Sequence, residues 1–202
     1  MTRKIDLRGV QWLTLGKKNS GKTNFNKWVL GDRPAHLAFD PMDEFKPEWG
    51  YNRYKPEARR GETAIEELEM VTDQLVFGNA DKLQYFFVDE VSRFHNPNGK
   101  KLKGVIGELV DVGSSHLNMG IGFSARKPQQ VHPDLRDMSE WFFIFRLRGS
   151  ASVKLLGKQI DERIPDLHAQ LNQYECVAVP PDGEPFILSP VPKQRNNKGQ
   201  NL

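Results

Sequence analysis

The stretch LGKKNSGKTNF at residues 15–25 combines glycine, lysine and hydroxyl side chains at a spacing that suits phosphate binding. Gly16 is followed by four residues and then by Gly21, Lys22 and Thr23, which is the pattern G-x-x-x-x-G-K-[ST]. The glycines let the backbone wrap so that N–H groups point at phosphate oxygens, and the helix that follows adds partial positive charge. The pattern predicts a nucleotide site in which Lys22 reaches the β- and γ-phosphates and Thr23 ligates Mg²⁺. The expected nucleotide-binding residues are Gly16, Lys17, Lys18, Asn19, Ser20, Gly21, Lys22, Thr23 and Asn24.

An acidic pair follows four apolar residues in YFFVDE, at positions 85–90. In a parallel sheet, the carboxyl end of this strand lies beside the phosphate loop. We expect Asp89 to hold Mg²⁺ through water and Glu90 to polarise the attacking water as a general base. A small-molecule kinase needs no water-activating base, so the second acid favours nucleotide hydrolysis. The alternative is a strand that ends in two solvated acids.

The elements that must position these residues alternate along the chain. The predicted strands are 9–15, 35–45, 83–91, 119–128 and 141–148, and the predicted helices are 21–31, 62–79, 105–113 and 152–171, the last broken near Pro165. Residues 46–61 and 92–104 are predicted loops, and 174–190 a hairpin with a Pro-Asp-Gly turn. Alternating strands and helices favour an α/β fold with a central, mostly parallel sheet flanked by helices and a C-terminal β-hairpin.

Length and composition suit a compact globular chain. The 202 residues include 38% apolar and 27% charged residues, and we expect one domain over 1–190 followed by a polar, basic tail at 191–202. Apolar runs stay shorter than the ~18–20 residues that cross a bilayer, and the first ten residues lack a signal-peptide pattern. We therefore expect no membrane span and a cytoplasm-like compartment rather than secretion.

Cysteine, histidine and net charge exclude other kinds of site. The single cysteine, Cys176, is followed by Val-Ala-Val and is predicted to lie buried in a strand. The net charge of +3 neither requires nor excludes a polyanionic partner. No metal-ligand spacing links the five histidines, which are His36, His95, His116, His132 and His168.

The order of motifs resembles the FtsK/HerA superfamily of P-loop ATPases, and within it the genome-packaging ATPases of tailless, membrane-containing viruses. LGKKNSGKTNF, HLAFDPMDEF and YFFVDEV are similar to the first three family motifs. The long segment LVDVGSSHLNMGIGFSARKPQQVHPDLRDMSEWFFIFRLR is similar to the family's helix, sensor strand, basic-Pro turn and final strand. The resemblance covers most of the chain and implies a RecA-like P-loop core that binds ATP and Mg²⁺.

The resemblance also implies a sensor after the fourth strand. Ser124, Ala125 and Arg126 match the sensor position, with Lys127 before Pro128. By this resemblance, Ser124 would be the polar group that senses the γ-phosphate or aligns the water, with Arg126 beside it. A plain basic turn is the alternative.

Family members work as rings in which one subunit donates an arginine to its neighbour's nucleotide, so the resemblance implies a homo-oligomeric ring, with a hexamer expected. Many relatives carry an arginine before the histidine that precedes the sensor strand, but this chain has serine in Gly-Ser-Ser-His at 113–116. Arg146 and Arg148 are the candidate donors, and Arg136 and Arg93 are weaker ones. Each is equally open to interpretation as a surface arginine.

Lysines between the acidic strand and the next helix are candidate DNA contacts. Lys100, Lys101 and Lys103 suit phosphate binding without sequence readout, although a solvated lysine cluster is an equal alternative. The tail adds Lys193, Arg195 and Lys198, in a segment that we expect to be flexible.

The motifs predict an ATPase, and the resemblance implies a motor that translocates double-stranded DNA into a viral capsid. The chain has little room for domains beyond the ATPase core, so capsid vertex proteins are expected partners, in the host cytoplasm or at the virion vertex. The alternatives are a cellular or plasmid HerA- or conjugation-type translocase, a filamentous-phage assembly ATPase, a small-molecule kinase and a non-hydrolysing nucleotide-binding protein. A phage assembly ATPase of the zonula-occludens-toxin type would be expected to carry a transmembrane segment.

Overall fold

A single eight-stranded sheet organises the protein in the computed structural model, which describes residues 5–31 and 35–192. The spatial order of the strands is β3-β2-β4-β5-β1-β6-β7-β8. The first six strands in this order are parallel, whereas β7 pairs antiparallel with β6 and β8 antiparallel with β7. The strands are β1 Gln11–Leu15, β2 His36–Phe39, β3 Arg53–Tyr54, β4 Tyr85–Val88, β5 Gly120–Ala125, β6 Trp141–Phe145, β7 Cys176–Val179 and β8 Phe186–Leu188.

Helices lie between most successive strands. They are α1 Lys22–Gly31, α2 Glu62–Val71, α3 Val105–Glu108, α4 Ser114–Leu117, α5 Pro133–Asp137, α6 Ser150–Gln159 and α7 Ile164–Gln170. A π-helical turn at Thr72–Val76 and a 3₁₀ turn at Phe77–Asn79 extend α2, and a π-helical turn at Leu109–Gly113 joins α3 to α4. Among the described residues, no helix has the length and apolar character needed to cross a membrane.

The sheet is buried on both faces. Along β1, Trp12 packs into the cluster that contains Phe25 of α1, while Leu13 and Leu15 belong to the cluster on the opposite face, with Leu68 of α2. This alternation follows the two-residue period of a strand. All five residues of β1 are buried, which explains why the central strands are nearly continuous apolar runs.

The predicted α/β fold, with its mostly parallel sheet and C-terminal antiparallel strands, is confirmed. The helical prediction over 62–79 agrees with α2 and its two extending turns. The predicted helix over 152–171 is two helices, and Pro165 lies in the first turn of α7, where proline costs no hydrogen bond.

Two short elements depart from the sequence expectations. The predicted loop at 46–61 contains β3, and a short helix, α5, opens at Pro133. Two residues are too few to show alternation, and Arg53 is held in place by ion pairs to Asp40 and Asp43 rather than by an apolar pattern. The strand predicted over 35–45 ends at Phe39, because Asp40 starts a tight turn.

Candidate functional site

A cleft of about 470 Å³ opens at the carboxyl ends of β1, β4 and β5. The carboxyl edge of a parallel sheet is where open α/β folds bind ligands. One wall is the phosphate loop with the start of α1, and the opposite groups include both acidic residues and Arg126. The lining residues are Lys18, Asn19, Ser20, Gly21, Lys22, Thr23, Asn24, Met42, Glu44, Asp89, Glu90, Arg126 and Tyr174.

Backbone hydrogen bonds tie the phosphate loop to the ends of two strands. The N–H of Gly16 donates to the carbonyl of Ala125 at 3.2 Å, and the N–H of Lys17 donates to the carbonyl of Arg146 at 2.9 Å. Gly21 has φ +112°, and a Cβ there would lie 3.0 Å from the Phe145 ring. Only glycine fits this position, because other residues would meet both backbone strain and a rigid aromatic neighbour.

Lys22 is buried beneath the loop. Its Nζ donates to the carbonyl of Gly16 at 2.6 Å and to that of Lys17 at 3.3 Å. Burial lowers the pKa of Lys22, and the charges of Glu90 and Asp89 oppose that shift. The lysine is therefore drawn toward an anionic partner in the cleft.

Ser20 presents an unpaired hydroxyl inside the loop. Its side chain is buried, and its Oγ has no hydrogen-bond partner within the described part of the chain. Buried polar atoms normally have a partner, so a ligand oxygen in the cleft would satisfy this one.

The strand order places Ser124 between the two halves of the site. β5 lies between β1 and β4, and Ser124 near its end donates a hydrogen bond of 2.5 Å to Asp89 Oδ1. The Ser124 hydroxyl also accepts the N–H of Glu90 at 3.0 Å. Burial raises the pKa of Asp89 to about 6, while the bond from Ser124 acts in the opposite direction.

Glu90 is held in an uncommon backbone conformation. Its φ is +50°, in the left-handed region that non-glycine residues seldom occupy. Its Oε1 accepts a hydrogen bond of 2.9 Å from Nε of Arg126, an exposed residue just beyond β5. Strained residues cluster at functional sites, which supports a functional hypothesis for this position.

Asp40 shapes another part of the cleft and is a residue whose role the sequence analysis missed. It is fully buried, and it accepts the N–H groups of Glu44 at 3.0 Å and Phe45 at 2.8 Å. This turn brings Met42 and Glu44 to the cleft. The Asp-Pro pair predicts a turn from the sequence, but it does not predict that the turn lies beside the cleft.

The four candidate arginines occupy different environments. The side chain of Arg146 donates to the carbonyl of Leu171, and Arg148 is exposed. Arg136 is buried and donates to the carbonyls of Pro128 at 2.7 Å and Val131 at 2.6 Å. Arg93 donates to the carbonyl of Arg59 at 3.1 Å. The Arg136 side chain thus stabilises the turn at residues 128–131, whereas Arg148 is open to solvent.

The loop that carries Lys100, Lys101 and Lys103 is called the lysine loop. The three lysines are exposed, and the loop does not line the cleft. The tail residues Lys193, Arg195 and Lys198 lie outside the described residues.

A histidine network anchors the lysine loop. His132 Nε2 lies 2.9 Å from the carbonyl of Gly99, and Leu102 N–H donates to Asp134 at 2.9 Å. His95 accepts the N–H of His132 at 3.0 Å, and its Nδ1 lies 2.9 Å from the carbonyl of Val91. The network therefore runs from the residue after Glu90 to the lysines.

Cys176 is buried in β7, as predicted, and burial raises the pKa of its thiol. The described residues contain no group of three or more His, Cys, Asp or Glu side chains suited to a metal ion. A cation at the cleft would therefore complete its coordination with phosphate or water oxygens.

Solved structures share this fold at low sequence identity. The genome packaging NTPase B204 from Sulfolobus turreted icosahedral virus 2, in complex with AMPPCP, superposes with a TM-score of 0.74 and 14% identity, over 93% of this chain and 100% of that chain. B204 from Sulfolobus Turreted Icosahedral Virus, a DNA-packaging ATPase, gives 0.71 and 16%, over 92% of this chain and 100% of that one. The chain has the P-loop NTPase fold. The resemblance inferred from the sequence is thereby confirmed at the level of the fold.

The P-loop NTPase fold also appears in a larger protein. EccC (ATPases 2 and 3) from Thermomonospora curvata gives a TM-score of 0.58 and 14% identity, over 96% of this chain and 40% of that chain. No protein-family model and no curated protein matches the sequence.

Proposed function

We propose that this P-loop NTPase-fold protein is an ATP-hydrolysing motor that translocates double-stranded DNA, packaging a viral genome into a preformed capsid. The observation that carries the proposal is the cleft in which the phosphate loop faces Asp89, Glu90 and Arg126. The superposition of 93% of this chain on a viral genome packaging NTPase supports the packaging role.

The phosphate loop binds the triphosphate. Backbone N–H groups of residues 18–23 and the helix N-terminus face the phosphates, since the N–H groups of Gly16 and Lys17 already donate to strand carbonyls. Lys22 exchanges its carbonyl partners for the β- and γ-phosphates. The unpaired Ser20 hydroxyl adds a donor. Thr23 and Asp89 fit Mg²⁺ because both offer oxygen to the same cleft, and Mg²⁺ is commonly held by one or two protein oxygens with phosphates and waters. When bound, the ion neutralises charge on the phosphates.

Glu90 is the general base. Its carboxylate is paired with Arg126 in the structure, so it must leave that pair to accept a proton from the attacking water. Hydrogen bonds with Ser124 hold the backbone of Glu90 and the carboxylate of Asp89 in fixed relative positions. Arg126, released from Glu90, points its positive charge at the γ-phosphate, where negative charge grows in the transition state.

A homo-oligomeric ring, proposed as a hexamer, completes the site. Arg146 and Arg148 are both exposed, and Arg148 is the stronger candidate to reach a neighbouring subunit because the side chain of Arg146 already donates to the carbonyl of Leu171. Lys100, Lys101 and Lys103 contact DNA phosphates without reading sequence. Residues 1–190 form the ATPase domain and 191–202 its tail, and the motor works in the host cytoplasm or at the virion vertex with capsid proteins.

One experiment tests the proposal: ATP turnover with and without double-stranded DNA, alongside the mass in solution. We expect DNA to stimulate turnover and the mass to be that of a ring. Glu90→Gln should still bind ATP yet lose turnover, whereas Glu66→Gln, on the exposed face of α2, should behave as wild type. Full turnover in Glu90→Gln would reject the base assignment.

The alternatives give different results. A small-molecule kinase would consume ATP only with an acceptor and without stimulation by DNA, and a structural nucleotide-binding protein would show no turnover. A cellular or plasmid translocase would share the DNA stimulation, and its neighbouring genes would encode nuclease or pilus proteins in place of capsid proteins.

A further inference from the structure

A second cavity, of about 300 Å³, adjoins the phosphate cleft. The two cavities share Gly21, Asn24 and Tyr174 as lining residues, so they adjoin at the start of α1. A ligand whose phosphates lie on the loop therefore has this second space within reach. The volume lies at the lower end of the usual range for small-molecule pockets.

The walls of the second cavity are mainly apolar and come from rigid elements. Phe25 on α1 and Phe145 on β6 contribute aromatic rings whose centroids are 5.9 Å apart. Leu188 on β8 and Val191 close the other side, and Asn24 Nδ2 donates to the carbonyl of Val191 at 3.4 Å. These walls are made of aromatic and aliphatic side chains rather than charged ones.

Tyr174 stands at the junction of the two cavities. It is 48% exposed, one of few large hydrophobic side chains so placed among the described residues. Its φ of +68° is in the left-handed region, which is costly for a bulky residue. A Cβ placed on Gly21 would lie 3.5 Å from the Tyr174 Cα, so this strained residue sits directly against the phosphate loop.

We propose that the second cavity binds the nucleobase of the nucleotide, with Tyr174 as the stacking residue. The inference rests on the proposed function, since it extends the same site beyond the phosphates. The exposure of the Tyr174 ring and the strain of its backbone are explained if a ligand binds against the ring. A base stacked on Tyr174 and packed against Phe25 and Phe145 supplies that ligand.

The chemistry of the walls sets the specificity. Asn24 and Ser189 are the polar side chains among the cavity's residues apart from Tyr174, and the Asn24 amide already donates to a carbonyl. Few groups are therefore available to read the edge of a base. Stacking and shape select purines over pyrimidines but discriminate little between adenine and guanine, so ATP and GTP should bind with similar affinity.

The test compares wild type, Tyr174→Gly and Tyr174→Phe by calorimetric titration with Mg²⁺ and ATP, GTP, CTP, UTP or inorganic tripolyphosphate. Wild type should bind ATP and GTP more tightly than CTP and UTP, and all of them more tightly than tripolyphosphate. Removing an aromatic ring on which a base stacks typically lowers the binding affinity about 5- to 100-fold. Tyr174→Gly should show that loss most strongly for ATP and GTP, less for CTP and UTP, and not for tripolyphosphate, and Tyr174→Phe should retain the affinity.

The glycine variant separates a functional role from a structural one. Glycine adopts positive φ without strain, so Tyr174→Gly should not lower the melting temperature. Equal wild-type affinity for ATP and tripolyphosphate, or unchanged ATP binding in Tyr174→Gly, would overturn this inference while leaving the phosphate site intact. Absence of binding by every phosphate compound would overturn the proposed function, and this inference with it.

Discussion

The hydroxyl of Ser124 donates a hydrogen bond of 2.5 Å to the buried carboxylate of Asp89. Through the same oxygen it accepts the backbone N–H of Glu90. A serine on β5 thus holds both acidic residues that follow β4, and β5 is itself paired with the strand that leads into the phosphate loop. This contact connects the two halves of the candidate site within the sheet.

Replacing Ser124 with alanine should impair turnover as well as stability. The lost hydrogen bonds are buried, so we expect the free energy of unfolding to fall by about 1–3 kcal/mol. Without them the acidic pair loses its alignment, and turnover should fall about ten- to hundredfold. Chemical unfolding and ATPase assays measure the two effects.

Ser139→Ala is the matched control for this prediction. Ser139 is also buried and donates to a carbonyl, that of Leu135, at 2.7 Å, but it does not line the cleft. It should lose comparable stability and keep its turnover. An equal loss of turnover in both variants would show that Ser124 acts only through stability.

Arg126→Ala should separate a sensor from a plain basic turn. The ion pair with Glu90 involves an exposed arginine, so its loss should change the free energy of unfolding by no more than about 1 kcal/mol. If Arg126 faces the γ-phosphate during hydrolysis, turnover at saturating ATP should fall at least about tenfold. Lys127→Ala removes the neighbouring exposed charge and should leave turnover unchanged. Equal rates in both variants would favour the basic turn.

Removing the lysine loop charges should change the salt dependence of DNA binding. Each phosphate contact contributes about 0.9 to the slope of log affinity against log salt. Substituting Lys100, Lys101 and Lys103 with alanine should therefore reduce the slope by up to about 3, measured by fluorescence anisotropy with double-stranded DNA at several salt concentrations.

A control triple variant removes the same charge elsewhere. Its three exposed lysines are Lys82, Lys154 and Lys158. The control should keep the wild-type slope, because its lysines belong to other segments of the chain. Identical slopes in the two triple variants would assign the loop to ordinary surface charge.

Acid should weaken the fold through His95. Burial lowers its pKa below the ordinary value of 6.5, and the neighbouring His132 lowers it further. As the pH falls through 6.5, the unfolded chain takes up a proton before the folded one, so the free energy of unfolding decreases. His168, also with a pKa lowered by burial, contributes in the same direction.

The measurement compares urea unfolding at pH 7.5 and 5.5 for wild type and His95→Gln. Glutamine keeps a donor and an acceptor but does not titrate, so the variant should lose less stability between the two pH values. The contribution of His168 is common to both proteins and cancels in the difference. An identical pH dependence would exclude His95 as a contributor.

The phosphate loop, the acidic pair and the alternation of strands and helices were readable from the sequence because each is a local pattern. Glycine spacing sets backbone geometry over a few residues, and continuous apolar runs mark strands buried on both faces. The short strand β3 was missed because ion pairs between Arg53 and two aspartates hold it, and such contacts leave no periodicity.

Local patterns in the chain are thus sufficient for the fold class and for the residues available for phosphate chemistry. The neighbours of these residues follow from the folded structure, in which Ser124 lies between the phosphate loop and the acidic pair, Arg126 pairs with Glu90, and Tyr174 lies against Gly21. These contacts join residues that are far apart in the chain. Strand order and the packing of the whole core bring them together, and neither is encoded in a local pattern.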